Sequence, residues 1–162
     1  MNSKELKQGG FIGFKTVKEL RSNPYEIPQS MGVYAVLYTD DIHPVFVERG
    51  VGGFFKGKDP NVSVSELETN WVENTDIVYI GKAGGMSSKA TLQSRLIQYL
   101  KFGMGKNIGH WGGRYIWQLA NADELVICWK PTDDEPREVE AKMIAQFKAE
   151  HLGQRPFANL TD

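Results

Sequence analysis

The chain of 162 residues holds one cysteine, three histidines and no apolar run long enough to cross a bilayer. Cys128 alone excludes a disulfide framework and most cysteine-based zinc sites, and its setting in "LVICWK" reads as a small buried hydrophobe. His43, His110 and His151 are too scattered to suggest a metal cluster, so each reads as a surface or locally bonded side chain. A membrane span needs about 18 consecutive apolar residues, and the start "MNSKELKQGG" lacks the apolar stretch of a secretory signal. The expectation is a soluble cytoplasmic protein without a membrane partner. At 41% hydrophobic, the chain can bury one core without staples.

A second shortage is local. The net charge is only -1, yet no Asp or Glu occurs from Ile77 to Ala122, where Lys82, Lys89, Arg95, Lys101, Lys106 and Arg114 all fall. Acidic residues gather on either side, as Asp59, Glu66, Glu68, Glu73 and Asp76 before it and Asp133, Asp134, Glu135, Glu138 and Glu140 after it. A solvated helix face would produce such segregation, and so would a basic face that meets phosphate.

The order of elements follows from local patterns. Residues 1–30 contain "FKTVKELRSNPYEIPQ", where an Asn-Pro pair and a second proline predict a short helix and a connecting arm. "GVYAVLYT" from Gly32 reads as a buried strand, and "PVFVERG" from Pro44 to Gly50 as a second strand joined to it in a hairpin. "GVGGFFKGKDPN" reads as a loop, and Ser63 three places before Glu66 predicts a short capped helix. "IVYIG" is a strand; "TLQSRLIQYLKFG" is an amphipathic helix with Leu92, Leu96 and Leu100 on one stripe and a glycine cap at Gly103. "GHWGGRYIWQL" has no assignable first half. "ELVICWKP" is a strand ended by Pro131, "DDEPREVEAKMIAQFKAEH" is the longest helix, and the tail after Gly153 is irregular. The class is α+β, a small antiparallel sheet flanked by helices. "GMGKN" at Gly103 lacks the spacing of a phosphate-binding P-loop.

Five pieces stand in a particular order. "GVY" opens one strand at Gly32–Tyr34, "YIG" lies in another at Tyr79–Gly81, Arg95 is on the next helix, Glu140 is on the long helix, and Asn159 is in the tail. This order resembles the GIY-YIG nuclease family, named for its two strand tripeptides. "YIGKA" followed by "RLIQYL" is similar to the nuclease domain of the bacterial nucleotide-excision-repair incision subunit, which matches Lys82 after the tripeptide and Tyr99 four residues after the arginine. The resemblance covers about residues 31–160. It departs from compact members in the 45-position separation of Tyr34 and Tyr79, so residues 40–76 are read as an insertion in a domain of residues 31–162, preceded by an N-terminal arm of residues 1–30.

The resemblance implies a DNA endonuclease that uses Mg²⁺ (or Mn²⁺) held by Glu140, with Tyr34, Tyr79, Lys82, Arg95, Tyr99 and Asn159 as the other catalytic positions. Lys89, Lys101, Lys106, His110 and Arg114 are the expected nucleic-acid contacts, and a partner protein is one source of specificity. The alternative is a non-catalytic nucleic-acid-binding module on the same scaffold. The residue types suit the chemistry. One carboxylate suffices for Mg²⁺, which keeps most of its waters. Arginine offers phosphate a planar fork, and lysine a compact charge. A tyrosine base is the demanding part: only about 0.1% of a free phenol is ionised at pH 7, and lowering its pKa to 7 takes about 4 kcal/mol. Nearby Lys82, Arg95 and a metal are the expected source. Either Tyr34 or Tyr79 can take the proton, with Tyr34 favoured.

Overall fold

A computed structural model describes residues 1–162. Four strands form one antiparallel sheet in the order β1-β4-β2-β3: β1 (Ile12–Thr16), β2 (Gly32–Leu37), β3 (Ile77–Ala83) and β4 (Val126–Pro131). Five α-helices accompany them: α1 (Ser3–Gln8), α2 (Val17–Ser22), α3 (Val64–Asn70), α4 (Leu92–Phe102) and α5 (Pro136–Glu150). The chain is therefore α+β, and no helix is long and apolar enough to cross a membrane.

Every residue of β2 is buried, so its alternation feeds two cores. Val33, Ala35 and Leu37 join Ile144 and Phe147 of α5 and Leu6 of α1 on one face. Tyr34 and Val36 join Leu20 of α2, Leu67 of α3 and Leu92, Leu96 and Leu100 of α4 on the other. The long helix starts at Pro136, where proline's missing N–H costs nothing. Thr91 and Ser94 form a capping box at the start of α4.

Two expectations need correction, and the glycine cap of α4 needs a different reason. Residues 1–30 are more than an arm, because β1 pairs with β4 along an outer edge of the sheet and Val17 and Leu20 are fully buried. Gly13 and Phe14 both have positive φ, at 94° and 55°, and the register shifts between Gly13 and Lys15. That break hides the strand's period. Residues 44–50 do not form a hairpin with β2, since both sides of β2 are taken by β3 and β4. They make only an isolated bridge between Phe46 and Leu119. Gly103 does follow α4, but its φ is -70°, open to any residue. Glycine stands there because an added Cβ would lie 2.5 Å from the Trp117 ring.

Residues 40–76 pack on the 3-10 segment Trp111–Gln118 and on the tail without adding a strand. Gln118 is 1% exposed, and its side chain forms the clasp. It accepts from Val62 N–H at 2.9 Å and donates to the carbonyls of Val47 at 3.0 Å and Val62 at 2.9 Å. Trp71 adds edge contacts to Phe46 and Phe157.

Replacing Gln118 with alanine leaves a buried N–H and several carbonyls without partners. Gln118→Ala should lose about 2–3 kcal/mol of stability in urea denaturation. A loss within error of zero would mean that Gln118 does not hold residues 40–76 down.

Candidate active site

The site begins with strand register. Tyr34 on β2 faces Gly81 on β3, and Val36 faces Tyr79. Cross-strand partners share a face, so this pairing puts both tyrosines on one side of the sheet. The register then shifts: Leu37 pairs with Ile77, which leaves Val78 unmatched. This bulge lets Ile77 serve the α5 core while Tyr79 turns to the α4 side. Both motif glycines have steric causes. A Cβ at Gly81 would sit 2.4 Å from Cζ of Tyr34, and one at Gly32 would sit 2.2 Å from the Lys130 carbonyl oxygen.

Tyr34, Tyr79, Lys82, Arg95 and Glu140 line one cavity of about 350 Å³, together with Ser88 and Gln98. Five of the seven expected catalytic residues thus converge from β2, β3, α4 and α5. The other two have different roles. Tyr99 is fully buried and donates its hydroxyl to the Gly113 carbonyl at 2.6 Å, so it does not line the cavity. Asn159 accepts from Ile80 N–H at 2.9 Å and donates to the Ile80 carbonyl at 2.9 Å. Its amide is committed to the open edge of β3, beside the bond from Ala158 N–H to the Val78 carbonyl. A side-chain amide matches a backbone unit donor for acceptor, which makes Asn159 a positioning residue for the strand that carries Tyr79.

His110, expected on a nucleic-acid surface, is 0% exposed. Its Nε2 lies 2.8 Å from the Tyr34 hydroxyl, and its ring stacks on Tyr99 with centroids 3.7 Å apart. Its Nδ1 is buried without a partner. The signal missed in sequence is a histidine inside an aromatic segment that must fold over a buried phenol. Of the other expected contacts, Lys89 is exposed between Ser88 and Ala90, which line the cavity. Lys101 and Lys106 are exposed and outside the cavity lining. Arg114 lies 4.5 Å over the Trp111 ring and donates to the Trp111 carbonyl at 3.3 Å, so its guanidinium is partly committed to its own segment.

The electrostatics are set by burial. Desolvation raises the Tyr34 phenol well above its ordinary value and lifts Tyr79 to about 12, with Arg95 opposing too weakly to reverse either. Arg95 does lower both phenols, as expected of a neighbouring cation, but by less than burial raises them. Desolvation first, then the positive charge of Arg95, pushes His110 well below 6.5 and keeps its ring neutral. Arg95 donates to the Gly109 carbonyl at 3.0 Å, which fastens the residue before His110 to α4. Burial raises the Glu140 carboxyl, while Lys82 and Arg137 pull it down through space.

No three His, Cys, Asp or Glu side chains come together as a metal-binding group. Glu140 is the only carboxylate lining the cavity. It is half-buried and has no hydrogen bond in its electrostatic balance, a setting that suits an incoming cation completed by water and phosphate. Comparison of the chain with known protein families, curated proteins and solved structures finds no match.

A depressed histidine pKa has a sign. Below pH 6.5 the unfolded chain takes up a proton that folded His110 refuses, so its contribution is full above 6.5 and falls as pH drops toward the lowered folded value. Wild type should therefore lose up to about 1.4 kcal/mol per pH unit more than His110→Phe in that window. Parallel slopes in denaturation at pH 7, 6 and 5 would show that His110 titrates normally.

Proposed function

We propose that this protein is a divalent-metal-dependent endonuclease that hydrolyses DNA phosphodiester bonds, as the resemblance to GIY-YIG nucleases implies. The observation that carries the reading is the convergence of Tyr34, Tyr79, Lys82, Arg95 and Glu140 on one cavity. Each is a residue type that phosphodiester hydrolysis uses, and four separate elements supply them.

In this reading Arg95 grips a non-bridging phosphate oxygen through its planar fork, and Lys82 adds a compact charge from the end of β3. Glu140 would hold the Mg²⁺ or Mn²⁺, which when bound neutralises phosphate charge and helps the leaving oxygen. Tyr34 aligns the attacking water and, as its phenolic oxygen accepts the water's proton, passes its own proton to Nε2 of His110. That route avoids a standing phenolate, which burial makes costly. Tyr79 borders the same cavity and fixes the phosphate or the water. The high phenol pKa values favour the competing reading, a nucleic-acid-binding module without catalysis.

Incubating supercoiled plasmid with Mg²⁺ separates the two readings. The wild-type chain should nick it, and Glu140→Ala should abolish nicking while leaving thermal melting within a few degrees. Tyr34→Phe should slow the reaction by about 10²–10⁴-fold, the usual range for a lost proton-transfer group. Binding without any nicking by wild type would favour the non-catalytic module. Near-normal cleavage by Glu140→Ala would remove Glu140 as the metal ligand.

A further inference from the structure

The site cavity does not end at Glu140. Lys82 and Glu140 also line a second cavity, of about 740 Å³, which runs along α5. Arg137, Glu140, Ala141, Ala145 and Lys148 border it, at spacings that put them on one helix face. From Arg137 to Lys148 this face spans about 16 Å, room for several backbone phosphates of a DNA strand. Ala141 and Ala145 are exposed and short, so the floor stays low between two cationic side chains. The opposite wall includes Thr161 and Asp162 of the tail. Lys148 donates to one carboxylate oxygen of Asp162 at 2.7 Å, and Nε of Arg155 donates to the other. An anion with two oxygens thus already bridges two cations beside the groove.

We propose that the DNA strand cut at the site continues past Lys82 and Glu140 into the α5 groove, where Arg137 and Lys148 meet its backbone phosphates and Asp162 competes with them for Lys148. The inference rests on the phosphodiester-hydrolysis reading and adds a path for the substrate. It moves the flanking contacts away from Lys101 and Lys106, which border neither cavity. Two cavities that meet at the candidate metal ligand suit a polymer that passes through. A mononucleotide would need only the smaller one.

Arg137 is exposed in the first turn of α5, where a glutamate is favoured by the helix dipole, so Arg137→Glu should fold normally. Lys18→Glu on α2 makes the same charge change at another exposed position and serves as the control. The test is fluorescence anisotropy of a short DNA duplex with the full chain in EDTA, at several salt concentrations. Arg137→Glu should weaken binding about tenfold and lower the log–log salt slope by about one unit. Asp162→Asn should tighten binding a few-fold, whereas Asp41→Asn, which removes an exposed acid outside the groove, should not. Arg137→Glu behaving like Lys18→Glu, while wild type binds and nicks DNA, would overturn the groove alone. A wild-type chain that neither binds duplex nor nicks plasmid would overturn the hydrolysis reading and the groove with it.

Discussion

Tyr34 occupies the space that a side chain at Gly81 would need and reaches Nε2 of His110 with its hydroxyl, and both contacts follow from burying a phenol beneath the sheet's helical cover. An unpaired buried hydroxyl costs about 1–3 kcal/mol, so the segment around Trp111 must bring a partner. It brings His110, which in turn needs a flat neighbour and finds Tyr99 on α4. Tyr99 closes the chain by bonding Gly113, where an added Cβ would stand 2.4 Å from its hydroxyl oxygen. β2, α4 and the 3-10 segment are tied together by this one polar chain, and Tyr34 at its start borders the cavity.

The edge of β3 is the other constraint. As the last strand in the sheet it presents unpaired backbone groups beside the strand end that carries Tyr79 and Lys82. Ala158 and Asn159 take those groups at Val78 and Ile80, so the tail replaces a fifth strand with two residues. The Val78 bulge and the tail bond occur at the same residue. The bulge re-aims Tyr79, and the bond to Val78 holds the re-aimed backbone.

β2, β3, β4, α4 and α5 were legible in sequence because each shows a β-type apolar run, a helical apolar stripe or a strong boundary residue. β1 was not, since Gly13 gives up its side chain to the Trp129 ring, 2.7 Å from where its Cβ would be, and Phe14 adopts positive φ. No local pattern encodes a partner more than a hundred residues away. The five cavity residues were legible as a motif order. The roles of Tyr99, Asn159 and His110 were not, because a hydroxyl, an amide or an imidazole gives no hint in sequence of which atom it will bond. Nearness in sequence is also no guide to the cavity: Lys101 follows Arg95 on α4, where a turn of about 100° per residue carries it to another face, and Lys106 lies beyond the helix end at Phe102.

Under the proposed hydrolysis, the charges around the site hold each group short of its working state until an anion arrives. Arg95 fastens the loop at Gly109 and, by the same positive charge, helps to keep His110 unprotonated. A phosphate on Arg95 would cancel part of that charge and so raise the affinity of His110 for a proton at the moment Tyr34 needs to lose one. Glu140 is under the opposite pressure, since burial favours its neutral form while Lys82 and Arg137 favour the anion. A bound cation would settle it as the anion, and the two changes reinforce each other because substrate phosphate completes the shell of the cation and also neutralises Arg95. Burial that makes the free phenols hard to ionise serves the same end in the proposed reading, because it confines proton transfer to the complex in which phosphate and cation are both bound.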